Sequence, residues 1–243
     1  MTGARFVGQR VARHEDARFL TGHGKYVDDI VVPGTLQAAF VRSDVARGRI
    51  VSIDIDDALA VPGVVAVYLA ADLNGLVRDH LVDGEAGFGN PRPYRVLADD
   101  DVRCVGEAIA MVVAESRYIA EDAAEAIIVE IDPEEPVTSV HDAVEPGSKL
   151  VHPHLDSNLN GEMPETPNEA LDEALANAPH VFTETFKQHR YLTVPMETKG
   201  ILASWEPFGQ QLTIWISTQG PHGVRSFFAR ALGIDDTQVR VVL

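Results

Sequence analysis

The sequence predicts an α+β chain of two domains joined by a long linker, and three observations predict it. From Gly24 to about Ile131, short apolar strand patterns alternate with short helical ones. Six of the 14 prolines then fall between residues 133 and 167, among glycines and several Asp, Glu and Asn. Beyond them strand patterns return, with one helix over residues 223–232 that carries an apolar stripe. The expected boundaries are residues 1–132 for the first domain, 133–167 for the linker and 168–243 for the second. A structureless stretch of that length is hard to fit inside a compact domain.

Residues 35–41 have a largely apolar face and read as a strand, and 49–55 alternate at period two, as a half-buried strand does. Asp56 or Asp57 is placed to cap a short helix through Ala60. Pro62-Gly63 turns into residues 64–69, a continuous apolar run of strand length. Residues 79–93 are rich in Gly, Pro and charge and read as an exposed loop. Residues 108–114 form a buried strand; Ser116 caps a helix to about Ala126, with Glu121 and Asp122 toward water; residues 127–131 form the returning strand. Past the linker, Asn168 caps a helix over 169–177, and residues 181–186 alternate as a strand does. Two further strands, 201–205 and 212–217, flank a turn at 207–210. In the last helix Val224, Phe227, Phe228 and Leu232 make the stripe, and Gly233 is a C-cap. Residues 239–243 begin a strand, where the sequence stops; that end, with two tryptophans in the last 40 residues, leads us to expect exposed sheet edge and aggregation in isolation.

A net charge of −17 without any basic run repels phosphate backbones, which excludes nucleic acid and disfavours anionic membranes. No secretory leader pattern or membrane-length apolar run occurs, so a cytoplasmic protein without a membrane span is expected. A single cysteine, Cys104, excludes an intrachain disulfide framework and an iron–sulfur cluster held by this chain alone. It reads as a small core residue beside a buried strand. His152-Pro153-His154 reads as a solvated pair, and nothing shows the spacing of a zinc site. Gly87-Phe88-Gly89 is followed by Pro91 and Pro93 where a phosphate loop needs a helix N-terminus. The residues alone therefore nominate no catalytic group and no metal ligand.

A set of collinear motifs carries the reading further. Arg13 to Asp29, with Glu15-Asp16, Leu20-Thr21-Gly22, Tyr26 and Asp28-Asp29, opens it. Phe40-Val41-Arg42-Ser43, Ala46, Ile53-Asp54 and Pro62-Gly63-Val64 follow. Next come Val102-Arg103, Val105-Gly106-Glu107 and Ala120-Glu121-Asp122-Ala123-Ala124. The series closes on Gln188-His189-Arg190, Pro195-Met196-Glu197, Ser217-Thr218-Gln219, Pro221-His222 and Arg225. In this order they resemble the N-terminal part of the large subunits of the xanthine dehydrogenase, aldehyde oxidase and carbon monoxide dehydrogenase family. Asp44 and Arg47 depart from it, standing where the family commonly has Pro and His.

The resemblance implies an α/β hammerhead domain followed by the start of a molybdopterin-binding α+β domain. It implies molybdopterin, in bacteria often the cytosine dinucleotide, whose metal takes no protein side chain as ligand. It also implies that Gln219 binds cofactor by donating a hydrogen bond to the metal's apical oxo group. The family's glycine-rich loop and its general-base glutamate are expected beyond Leu243. The chain is thus read as an incomplete oxidoreductase component that acts on a small molecule. Its expected partners are the C-terminal part of the large subunit, an iron–sulfur subunit and an FAD subunit. The alternative is a non-catalytic interaction module or degenerate fragment without cofactor, and molybdenum in a purified complex discriminates the two.

Overall fold

The computed structural model describes residues 10–77, 82–83, 92–93, 95–159, 161, 166–189, 191–195 and 197–243. They fall into two compact units. The smaller is drawn from residues 10–34, 194–226 and 236–243, the larger from 35–193 and 227–235. Near the start, α1 (Asp16–Leu20) precedes a 3₁₀ turn at Val27–Asp29.

The larger unit is built in the order β1 (Gln37–Arg42), β2 (Gly48–Asp54), α2 (Asp56–Ala60), β3 (Val64–Tyr68) and α3 (Ala70–Leu73). The short pair β4 (Val82–Asp83) and β5 (Arg92–Pro93) follows, then β6 (Asp101–Val102), β7 (Ala108–Ala114), α4 (Arg117–Glu125) and β8 (Ile128–Pro133). Helices α5 (Val140–Ala143) and α6 (Glu169–Ala176) come last. Gly87-Phe88-Gly89, read as exposed loop, lies outside the described residues.

Strand β7 runs between β1 and β3, and β2 runs between β6 and β8, every pairing antiparallel. The strand after α4 therefore does not return to the sheet that α4 leaves; it joins β2. This makes the unit α+β. Because successive side chains point to opposite faces, β7 feeds two cores. Ala110 and Val112 pack with Ala58, Ala123 and Ile127, whereas Ile109 packs with Ala98 and Val102. A strand covered on both faces needs an uninterrupted apolar run, and β7 reads Ala-Ile-Ala-Met-Val-Val-Ala.

Helix α4 lies on β1 and β7 and buries Ala120 and Ala123, while Glu121 and Asp122 stay exposed. Ser116 starts it, its hydroxyl accepting the Ile119 N–H at 3.3 Å. Ser116→Ala is expected to destabilise the unit by about 0.5–2 kcal/mol. The check is a lower urea midpoint with an unchanged denaturant slope; an unmoved midpoint would show that the cap contributes nothing. At α2 the expected cap differs. No side chain of the helix caps it; the Asp54 carboxylate, at the end of β2, accepts the Asp56 N–H at 3.1 Å. Gly48 is fixed by close approach, since a Cβ there would meet Ile131 Cγ2 at 2.5 Å and the Asp132 carbonyl oxygen at 2.8 Å.

The stretch read as linker is locally organised. The Glu134 N–H donates to the Arg47 carbonyl at 2.9 Å, and the Ser139 hydroxyl caps α5. Asn158 gathers the following loop: its amide nitrogen donates to the Ala143 and Lys149 carbonyls, and its oxygen accepts the Val151 N–H. Asn168 caps α6, as its sequence suggests. The strand expected over 181–186 is absent. These residues pair with nothing among those described, and Val181, Phe182 and Phe186 are exposed. Alternation alone cannot hold a strand whose backbone groups find no ladder.

In the smaller unit β9 (Ile201–Glu206) and β10 (Gln211–Ile216) form an antiparallel hairpin. Parallel to β10 lies β11 (Val239–Val242); between them in sequence is α7 (Pro221–Leu232), of which residues 221–226 belong to this unit and 227–232 to the larger. Helix α7 ends at Gly233, whose φ of 67° is the left-handed stop expected of it. The residues of α7 that are fully buried are Ala229 and Ala231, not the apolar stripe; Leu232 is 46% exposed. Among the described residues no helix is long and apolar enough to cross a membrane.

Candidate cofactor-facing site

The C-terminal end of β10 runs through Ser217-Thr218-Gln219-Gly220 into α7. Pro221 opens the helix, where its missing N–H costs no helix bond. The Gly220 carbonyl accepts the first helical bond, from the Val224 N–H at 3.0 Å. The Thr218 hydroxyl accepts the Gly220 N–H at 3.1 Å. Two of the junction's backbone groups are thus satisfied without Gln219. That residue is exposed, and among the described residues its amide has no hydrogen-bond partner. The backbone that follows it is uncrowded: a Cβ at Gly220 or Gly223 would meet nothing described within 4 Å. A neutral amide with an unspent donor, at a helix N-terminus with open approach, fits an electron-rich oxygen of a bound group.

Beside this loop a groove of about 480 Å³ is lined by Pro221, His222 and Arg225 of α7, with Thr237 and Arg240 on the way into and along β11. Gln219 does not line it. Asp236 contacts one of the lining residues: its carboxylate accepts the Ser226 hydroxyl at 2.9 Å and faces an Arg225 nitrogen at 3.5 Å. The Nε of Arg225 is buried without a partner. The lining combines two arginines and other polar groups with apolar Pro221, Val239, Val241 and Leu243, and the nearby carboxylate is already engaged. Such an arrangement can orient and polarise a ligand, while the Asp236 carboxylate is engaged by Ser226 and Arg225.

Several of the other motif residues are spent on structure. In the smaller unit the Glu197 carboxylate accepts the Val27 N–H at 3.2 Å, and Asp29 accepts the Tyr26 N–H. In the larger unit Ser43 exchanges backbone bonds with Gly106 and Glu107, and Arg42 donates to the Gly106 carbonyl. Glu107 then joins a charge cluster that no sequence motif marks. Arg95 binds Asp99, Asp101 at 3.0 Å and Glu107 at 2.8 Å. Arg103 grips Asp101 with two nitrogens and gives its backbone N–H to Glu107 at 2.6 Å. Burial pushes the Asp101 carboxyl up, but Arg103 and then Arg95 outweigh it and hold the group below its ordinary value. Asp99 follows the same logic, with the Asp100 N–H and Arg95 opposing burial. The available signal was the density of opposite charges between Arg95 and Arg103, flanking buried Leu97 and Ala98.

Cys104 and His152 differ from what the sequence leads one to expect. Cys104 is exposed, because it sits in the turn that reverses the chain before β7 and not in the strand. His152 is half-buried, with Nδ1 3.1 Å from an Arg103 nitrogen and its ring edge-on to His154. That contact assigns the Nδ1 lone pair to a guanidinium, not to a metal. Among the described residues no group of His, Cys, Asp and Glu could hold a metal ion. His189 and Gln188 are exposed; Arg190 and Met196 lie outside the described residues.

Residues 21–135 match the family described as aldehyde oxidase and xanthine dehydrogenase, a/b hammerhead domain, and residues 151–243 match the molybdopterin cofactor-binding domain. The chain is 37% identical to the nicotine 6-hydroxylase large subunit of Paenarthrobacter nicotinovorans over 97% of its own length and 29% of that protein's. It is 38% identical to the carbon monoxide dehydrogenase large chain of Hydrogenophaga pseudoflava, covering 96% of itself and 30% of the relative. Among solved structures it superposes on quinoline 2-oxidoreductase from Pseudomonas putida 86 with a TM-score of 0.85 at 38% identity, over 96% of this chain and 30% of that one. The chain spans about three tenths of the length of these relatives. It belongs to the xanthine dehydrogenase, aldehyde oxidase and carbon monoxide dehydrogenase family of molybdopterin-binding oxidoreductases, as a hammerhead domain followed by a molybdopterin cofactor-binding domain.

Proposed function

We propose that this chain is the N-terminal component of a cytoplasmic molybdenum hydroxylase large subunit and that it faces the cofactor through Gln219. The unspent amide of Gln219, at an open strand–helix junction in a cofactor-binding domain, carries the proposal. When bound, a molybdopterin, here as its cytosine dinucleotide, supplies oxidation of a small organic substrate with oxygen from water. Gln219 would help hold the cofactor with a neutral hydrogen-bond donor, without adding charge. Thr218 and Pro221 fix the backbone of the loop that carries Gln219 at the strand end. The C-terminal part of a large subunit completes the site and brings the proton acceptor. Electrons leave to an iron–sulfur subunit and an FAD subunit, a division that agrees with a single, exposed cysteine here. Residues 1–132 serve as the hammerhead, 133–167 as the connector and 168–243 as the cofactor-facing block. The test is a complex purified from the native host through a tag on this chain. Stoichiometric molybdenum, iron and flavin are expected, with a cytosine nucleotide released on acid hydrolysis; chain isolated without molybdenum would establish a non-catalytic module instead.

A further inference from the structure

We infer that residues 181–187 are a strand without its sheet, and that they dock by edge pairing onto the C-terminal polypeptide of a large subunit. The inference rests on the family reading above and deepens it by naming the surface through which the pieces join. Phe182 is 87% exposed, Phe186 90% and Leu192 87%, and Val181 and Tyr191 are exposed beside them. Five of the six residues from Val181 to Phe186 are β-branched or aromatic, types that favour a pleated, half-buried surface. In strand conformation Phe182, Glu184 and Phe186 lie on one face. The same six residues contain one charge and neither Pro nor Gly, the composition of a segment that aggregates when left uncovered. Five exposed apolar or aromatic side chains fall within residues 181–192, more than is usually left uncovered in so short a stretch.

The choice of occupant follows from length. This chain spans 29% and 30% of two relatives to which it is 37% and 38% identical, so those proteins carry about seven tenths of their polypeptide beyond the shared region. A second copy of this chain would have to pair two segments each bearing Glu184 and lacking a sheet, which leaves both outer edges open. A sheet edge on the additional polypeptide satisfies the backbone on one side and covers the phenylalanine face on the other.

Hydrogen exchange of the whole chain tests this, alone and fused to the part of the Hydrogenophaga pseudoflava large chain that the shared 30% leaves over. Alone, amides 181–187 should exchange at close to unprotected rates. In the fusion they should slow by on the order of 100-fold or more, as paired strands do. Phe182→Glu/Phe186→Glu should abolish that slowing, and these side chains are too exposed to be needed for the fold. Thr183→Pro, which leaves the apolar face untouched, should abolish it as well. If amides elsewhere in the fusion gain protection while 181–187 do not, the strand placement is overturned and the family reading stands. If none gains protection, both fail. Slowing in the chain alone that rises with concentration, together with a dimer in sedimentation, would overturn the inference in favour of self-pairing.

Discussion

Gln219→Ala in the assembled, cofactor-loaded complex is expected to lower turnover roughly 10–100-fold, the usual cost of losing one hydrogen bond to a ligand of a metal centre. Folding should be unaffected, because the side chain is exposed and the junction is held by Thr218 and Gly220. Metal content should likewise stay at the wild-type level while the spectroscopic signature of molybdenum shifts. Gln219→Glu separates donor from size: it keeps the shape, replaces the donor by a charged acceptor and should do no better than alanine. Turnover and signature both unchanged in Gln219→Ala would end the assignment.

The largest stability effect is expected at Arg95. Its side chain is 14% exposed and serves Asp99, Asp101 and Glu107 together, so Arg95→Met leaves three carboxylates facing one another with only Arg103 in support. Breaking a fully buried pair costs about 3–5 kcal/mol. Asp99 is 46% exposed and screened by water, so we expect roughly 2–3 kcal/mol here. In a chain of this size that lowers Tm by roughly 4–12 °C. The pH dependence has a defined sign. Asp99 and Asp101 titrate below their ordinary values in the folded state, so they stabilise it above an unfolded pKa of about 3.9. That contribution disappears as pH falls from there through the folded values. The variant should therefore lose less stability than the wild type between pH 5 and 2, roughly the window in which such carboxylates are protonated. Parallel curves would show that Arg95 does not act through these carboxylates.

Periodicity made most of the fold legible. Each strand with a continuous or alternating apolar pattern and a neighbour to pair with was placed within two or three residues. Ser116 and Asn168 disclosed their caps because the side chain that bonds the helix is adjacent in sequence. Sheet membership was hidden, since β8 pairs with β2 from about 80 residues away and no local pattern records a partner. For the same reason residues 181–186 carried a strand's pattern without a strand. Cys104 misled because neighbouring apolar residues indicate burial only where the chain stays in the strand. The proposal for Gln219 comes from its motif; the geometry adds only that its amide has no partner among the described residues. The Arg95 cluster was not legible: three of its carboxylates look like solvated surface charge until folding brings two arginines among them.

The register of the larger unit also sets an order of events during synthesis. Gln37 pairs with Ala114 and Gly48 with Pro133, so neither three-stranded sheet can close until most of that unit has left the ribosome. At roughly 5–20 residues per second, β1 and β2 wait about 4–20 s for their partners. Hairpin β9–β10, joined by one short turn, has no such delay. The apolar faces of β1 and β2 are thus exposed longest at the time of translation, and that interval is where a trigger-type chaperone would matter most to the yield of this protein.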